Sequence, residues 1–254
     1  MARIPGAEQA RVYAAAQRFV ERALRRNGRV FSSGRLWAPD VLDDLHDRLA
    51  QPAAGATLEE RWAALLAGAG DATVELAAEA CYVHVLFAAD LSPTTKRHLV
   101  QATLARSSSP PRVGAPLDAA LDAGLAGTGV AFKRRRLSQL QLLVDAVRLW
   151  KTLRRPLREE LLADGDGFRR WLAEVPCDGA AAQREALLHL VHPDAFEPIV
   201  SPRVKRRIVA AYAAERSDDS EEGADVDVAL RGLRAALEPE HGPGFAFVDL
   251  VDVR

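Results

Sequence analysis

AEQARVYAAAQRFVERALRRN, residues 7–27, returns an apolar side chain every three or four positions: Val12, Tyr13, Ala16, Phe19, Val20 and Leu24. A 3.6-residue turn brings such positions to one side, so the segment reads as a helix with a single buried stripe. The same periodicity continues through the chain, and the helix starts are punctuated. Pro39 before VLDDLHDRLA stands in a first turn, where its missing N–H does no harm. Thr57 and Glu60 form a capping box ahead of RWAALLAG. Asp71 reads as the cap of a long apolar helix that reaches Phe87. Ser92-Pro93 and Ser201-Pro202 repeat one start signal, a capping hydroxyl followed by proline.

Interruptions define the rest. SSSPPRVGAP at 107–116 and Gly127-Thr128-Gly129 are loops, and strand-like alternation is confined to FAFVDLVDV at 245–253. The expectation is an all-α, irregular multi-helix bundle of about nine to eleven helices, ending in a short extended tail. Residues 1–214 form the helical body, with a candidate division near 107–116. An acid-rich run at 215–226 reads as a solvated linker, and 227–254 as a last helix and tail.

A chain of 254 residues, 48% apolar, can bury a real core. With 34 basic and 35 acidic residues it cannot hold a polyanion by bulk charge, so any such contact needs a local patch. Cys81 and Cys177 lack CxxC spacing and read as free, buried thiols of a reducing compartment. The N-terminal residues lack the apolar core of a signal peptide, and no window approaches the ~18 apolar residues of a membrane span. A cytoplasmic protein with no membrane contact is expected.

Gly124-Leu-Ala-Gly-Thr-Gly129 has the glycine spacing of a phosphate loop, but Val130 and Ala131 follow where lysine and a hydroxyl are needed. It reads as a helix break. His189 and His192 stand three apart near Asp194 and Glu197, yet zinc needs three or four converging ligands and Pro193 turns the chain away. They read as the end of a helix, with histidines facing its negative pole. Cys81 and His84 lie in an apolar stretch and read as core. Glu75 and Glu79 share a helix face without a facing partner segment, and Glu79 reads as a buried carboxylate, paired with lysine or arginine, that fixes helix docking. No catalytic, metal or cofactor site is assigned, and a non-enzymatic role is expected of this chain. In the turn after His192, Pro193 ends a helix, Asp194 can accept from nearby N–H groups, and Phe196 is expected to be buried between the flanking helices.

The basic segment is the most suggestive feature. From Lys133 to Arg158 nine basic residues face one acid, Asp145. Lys133, Arg134, Arg135 and Arg136 crowd a helix start, where the dipole disfavours them unless they meet anions. Lys151, Arg154, Arg155 and Arg158 follow, and Lys205, Arg206 and Arg207 form a further cluster. These eleven are the candidate contacts to nucleic acid or to an acidic protein partner, with a solvated arginine-rich face as the plainer alternative.

ALLHLVHPDAFEPIVSPRVKRRIVAAY, residues 186–212, resembles the helical region that precedes the motor domain in McrB-type AAA+ restriction ATPases. Leu36-Trp37, AAEACYVHVLF at 77–87, GLAGTGVAF at 124–132 and GPGFAFVDL at 242–250 agree with that pattern. The resemblance spans most of the chain, but the motor's nucleotide-binding loop, acidic strand and arginine fingers are missing from it. It therefore implies a non-catalytic sensing or adaptor domain in bacterial restriction or anti-phage defence, with an AAA+ motor in cis and a nuclease subunit in trans.

Overall fold

A computed structural model describes residues 6–52, 54–55, 57–176, 178–212 and 225–250. Fourteen α-helices and one π-turn account for the regular structure there, with no strand beyond two isolated bridges. The all-α reading is correct, and eleven of the helices have at least seven residues. The acid-rich residues 215–224, Cys177 and Val251–Arg254 lie outside the described residues.

The bundle is built around α4 (Asp71–Leu86), in which every residue from Thr73 to Leu86 is buried. A helix apolar on all sides has to be surrounded, and this one is. Around it lie α1 (Ala7–Phe19), α2 (Pro39–Leu49), α5 (Pro93–Leu104) and α8 (Arg136–Thr152). The stripe of α1 is buried as its spacing predicts, with Val12, Ala16 and Phe19 nearly inaccessible. Edge-on aromatic pairs fill the centre, Phe19 on Trp37 and Phe31 on Tyr82 among them. Apolar residues on both sides of 107–116 join one contiguous core, running from Val12 to Val200.

Helix starts follow their caps. Thr57 and Glu60 complete a reciprocal capping box on α3 (Leu58–Leu65), and Ser92 and Ser201 cap α5 and α12 (Pro202–Ala211). Asp71 departs from its expected role. Gly70 holds the cap position of α4, and the Asp71 carboxylate instead accepts from the Ser107 hydroxyl and from the Ser108 N–H and hydroxyl. Those bonds hold it below the usual carboxylate range and tether the 107–116 loop.

At the far end of α1 the helix widens into a π-turn, Val20–Leu24, with the Arg25 N–H bonded to the Val20 carbonyl at 2.9 Å. The turn leaves carbonyls to be satisfied from outside. Trp150 Nε1 donates to the Leu24 carbonyl at 2.9 Å, and Lys151 Nζ donates to the carbonyls of Ala23, Leu24 and Arg26.

Four shorter helices, α6 (Ala115–Ala120), α7 (Gly129–Arg134), α9 (Arg155–Ala163) and α10 (Gly165–Ala173), fill the periphery. The helix α11 (Ala181–Val191) packs on α8 and α1. A second small core joins α12 to α13 (Val226–His241) through Ile208, Leu230, Leu233 and Leu237. Arg231 grips Asp166 with two nitrogens, and Arg169 pairs with Asp225, so α13 is bolted to α10. The tail departs from its extended expectation. Phe247–Leu250 forms a single helical turn, α14, and Phe247 is buried in the second core.

Candidate functional site

The structure sorts the basic residues into two groups. Lys133 pairs with Asp90 at 2.8 Å. Lys151 is committed to the π-turn carbonyls, and burial lowers its pKa to about 7. Lys205 is buried on α12 between Glu185 at 2.5 Å and Asp227 at 2.6 Å, tying α11, α12 and α13 together. Lys151 and Lys205 are thus fasteners of the fold rather than surface contacts, which corrects their place among the candidate contacts, while Lys133 stays part-exposed in its pair with Asp90. Arg134, Arg135, Arg154, Arg155 and Arg206 are exposed, Arg135 lying against Gly179. Arg158 and Arg207 are part-buried, as is Arg136 at the start of α8. The lone acid of the segment, Asp145, is taken by His46 of α2 at 2.5 Å and by Gln141 at 2.8 Å.

The glycine loop has its own anion. Asp90 accepts from the Thr128 N–H at 3.0 Å, the Thr128 hydroxyl at 2.8 Å and the Gly129 N–H at 3.2 Å. The donors that a phosphate would use are therefore filled by a carboxylate. Burial raises the pKa of Asp90, but Lys133 and Thr128 outweigh it and hold the group at about 2. Gly124 is required by close approach, since a Cβ there would overlap the Ala88 carbonyl.

The histidines of interest go into packing. His189 Nδ1–H donates to the Phe196 carbonyl at 2.7 Å, which leaves Nε2 to accept from the Tyr13 hydroxyl at 3.0 Å. His192 donates from Nε2 to the Leu161 carbonyl at 3.1 Å. His84 stacks on Phe132 with 4.3 Å between centroids and bonds Gln183 at 2.7 Å, and burial lowers its pKa to about 3. The Cys81 thiol is buried and pushed up to about 12. Phe196 is buried as expected, against Gly165 at the start of α10 and beside His192. The turn itself is closed by the His192 carbonyl, which accepts from the Ala195 and Phe196 N–H groups, while Asp194 stands exposed after Pro193.

Glu79 does fix docking, though its partners are not cations. Oε1 accepts from the Val30 and Phe31 N–H groups at 2.7 Å each, and Oε2 from the Trp37 indole at 2.5 Å. Desolvation raises its pKa to about 7 against the pull of those donors. Glu75 pairs with Arg29 of the same loop.

A mostly apolar cleft of about 480 Å³ opens where the C-terminal elements meet the body. Its walls are the 125–129 loop, the 197–201 turn and residues 243–248, with Tyr13 contributed by α1. Arg234 of α13 forms part of the wall. Its guanidinium is held in a two-pronged pair by Glu197, at 2.5 and 2.9 Å, and lies over the Phe245 ring at 4.1 Å and the Phe247 ring at 5.2 Å. Sequence reasoning passed over Arg234. The only trace was the alternation Phe245–Ala246–Phe247, which reads as a strand but places two rings against one guanidinium. No group of three or more metal-binding side chains occurs among the described residues, nor any helix there long and apolar enough to cross a membrane. No protein-family model, curated protein or solved structure matches the chain.

Proposed function

We propose that this chain is a non-catalytic sensing and adaptor domain, working in the cytoplasm as the front end of an McrB-like AAA+ motor in restriction or anti-phage defence. The observation that carries the non-catalytic part is the fate of the reactive groups. Glu79 and His189 spend their hydrogen bonds on packing, His84 is sealed in the core against Phe132 and Gln183, and the glycine loop is filled by Asp90. The adaptor part is supported by the mostly apolar cleft at the joint between the body and α13–α14, where a change of partner could be felt by both. The motor and nuclease assignment rests on the resemblance of residues 186–212. The coding sequence beyond Arg254 and the adjacent genes test it: a phosphate-binding loop or a neighbouring motor with a nuclease subunit supports the reading, and a locus with neither overturns it.

A second reading, direct contact with nucleic acid, is favoured by one observation. Arg134, Arg135, Arg154, Arg155 and Arg206 are exposed and make no side-chain hydrogen bond or ion pair with the described residues. If all five touched phosphates of a duplex, log affinity would fall with log salt at a slope of about −4.5. A slope near zero, or no binding at low salt, rules this out.

A further inference from the structure

We infer that the pocket between α3 and α5, with Arg136 in its wall, is a binding site for the phosphate group of a small phosphorylated molecule. Arg136 is the first residue of α8, at the positive end of a 17-residue helix, where a cation is disfavoured. Its side chain is part-buried, and it makes no hydrogen bond or ion pair with any described residue. Nε is sealed from solvent without an acceptor. The Cys81 thiol near it is pushed up to about 12 by burial and stays neutral in ordinary buffers, so it supplies no counter-charge. Burial lowers the pKa of Arg136, so the charge is partly stripped of water without a protein anion to replace it. The guanidinium thus has no anion among the described residues, and one supplied from outside would complete it.

The pocket beside it supplies the rest of a receptor. It measures about 250 Å³, below the common size of drug-like sites and enough for a phosphate group with a few attached atoms. His98 of α5 and Arg106, just past the end of that helix, line it, both exposed and both without a side-chain hydrogen-bond or ion-pair partner among the described residues. Thr95 adds a hydroxyl, and the buried Trp62 forms an apolar wall. Glu59, exposed, is the opposing charge among the lining residues. Two guanidinium forks and an imidazole around so small a volume match a tetrahedral oxyanion, which arginine binds with paired donors. A continuous polyanion fits less well, because Glu59 would repel the flanking phosphates.

Calorimetric titration of the full chain with inorganic phosphate, with a nucleoside 5′-monophosphate and with a short DNA duplex tests the site. Inorganic phosphate and the monophosphate should bind, the monophosphate at least as tightly, and both should raise the melting temperature. Arg136→Gln should weaken both by about tenfold or more, the loss of one charged fork, while Arg154→Gln leaves them unchanged. Arg136→Lys keeps the charge without the fork and should fall between, which guards against a Gln variant that folds poorly. Equal phosphate affinity in Arg136→Gln and the parent overturns the site. So does the absence of phosphate binding, or a duplex that binds through Arg136 more tightly than the monophosphate does.

Discussion

Glutamine at position 79 would keep the shape of the buried carboxylate and invert one of its contacts. In the parent, Oε1 takes the Val30 and Phe31 N–H groups and Oε2 takes the Trp37 indole N–H at 2.5 Å. A carboxamide oxygen can still serve the two backbone donors, but its NH2 then faces the indole donor to donor. One charge-assisted bond is lost and one buried donor orphaned, so Glu79→Gln should cost about 2–3 kcal/mol. Alanine strands all three donors at about 1–3 kcal/mol each, reduced where water enters, and should cost about 3–6 kcal/mol. Either loss is a large share of the roughly 5–15 kcal/mol that holds a typical domain together. Trp37→Phe removes the indole donor, so in that background Glu79→Gln should cost about 1–2 kcal/mol less. The pH dependence gives a second handle. Desolvation lifts Glu79 from 4.5 to about 7, so the folded chain takes up its proton before the unfolded chain does. The parent thus gains stability from this group as pH falls from above 7 towards 4.5, and Glu79→Gln lacks that gain. Urea unfolding followed by far-UV circular dichroism at about pH 8 and about pH 5 measures both effects. Equal midpoints for parent and Glu79→Gln, or strict additivity with Trp37→Phe, would refute the reasoning.

Lys205→Met leaves the buried Asp227 and the part-buried Glu185 without their cation, and should cost about 3–5 kcal/mol. Hydrogen exchange should then rise in α13 ahead of α4, and unchanged protection of α13 would contradict the fastening role. Phe196→Ala empties a fully buried ring site and should cost about 3–5 kcal/mol by urea unfolding; a loss under about 1 kcal/mol would mean the turn collapses onto the space. Asp90, held at about 2, lies below its ordinary 3.8, so its stabilisation is complete above about pH 4 and is lost as pH falls through about 2. Asp90→Asn should flatten that part of the acid-unfolding curve, and an identical curve for the variant would show that the glycine loop does not depend on the charge.

Much of the helical skeleton was legible because its causes are local. The capping box at Thr57–Glu60, the Ser-Pro starts at 92 and 201 and the stripe of α1 depend on neighbours three or four residues apart. The burial of Phe196 was legible for a related reason, a large ring set in a turn that must pack somewhere. Partners distant along the chain were not. Glu79 could be read as buried and paired, but only the fold shows its pair to be two backbone N–H groups and an indole 42 to 49 residues away. Lys151 and Lys205 look like their arginine neighbours in sequence, yet each closes an internal contact, because which face a cation occupies depends on the elements packed beside it.

The sequence by itself determined that the chain is helical, where many of the helices begin, and which stripes must be hidden, since these follow from backbone hydrogen bonding and side-chain spacing over one or two turns. Only the tertiary structure decided which charges are fasteners and which remain available, that Arg234 lies against two phenylalanines at the cleft, and that Arg136 lies part-buried without an anion among the described residues. Those outcomes depend on through-space distances and on desolvation, and neither is encoded in any short window of the chain.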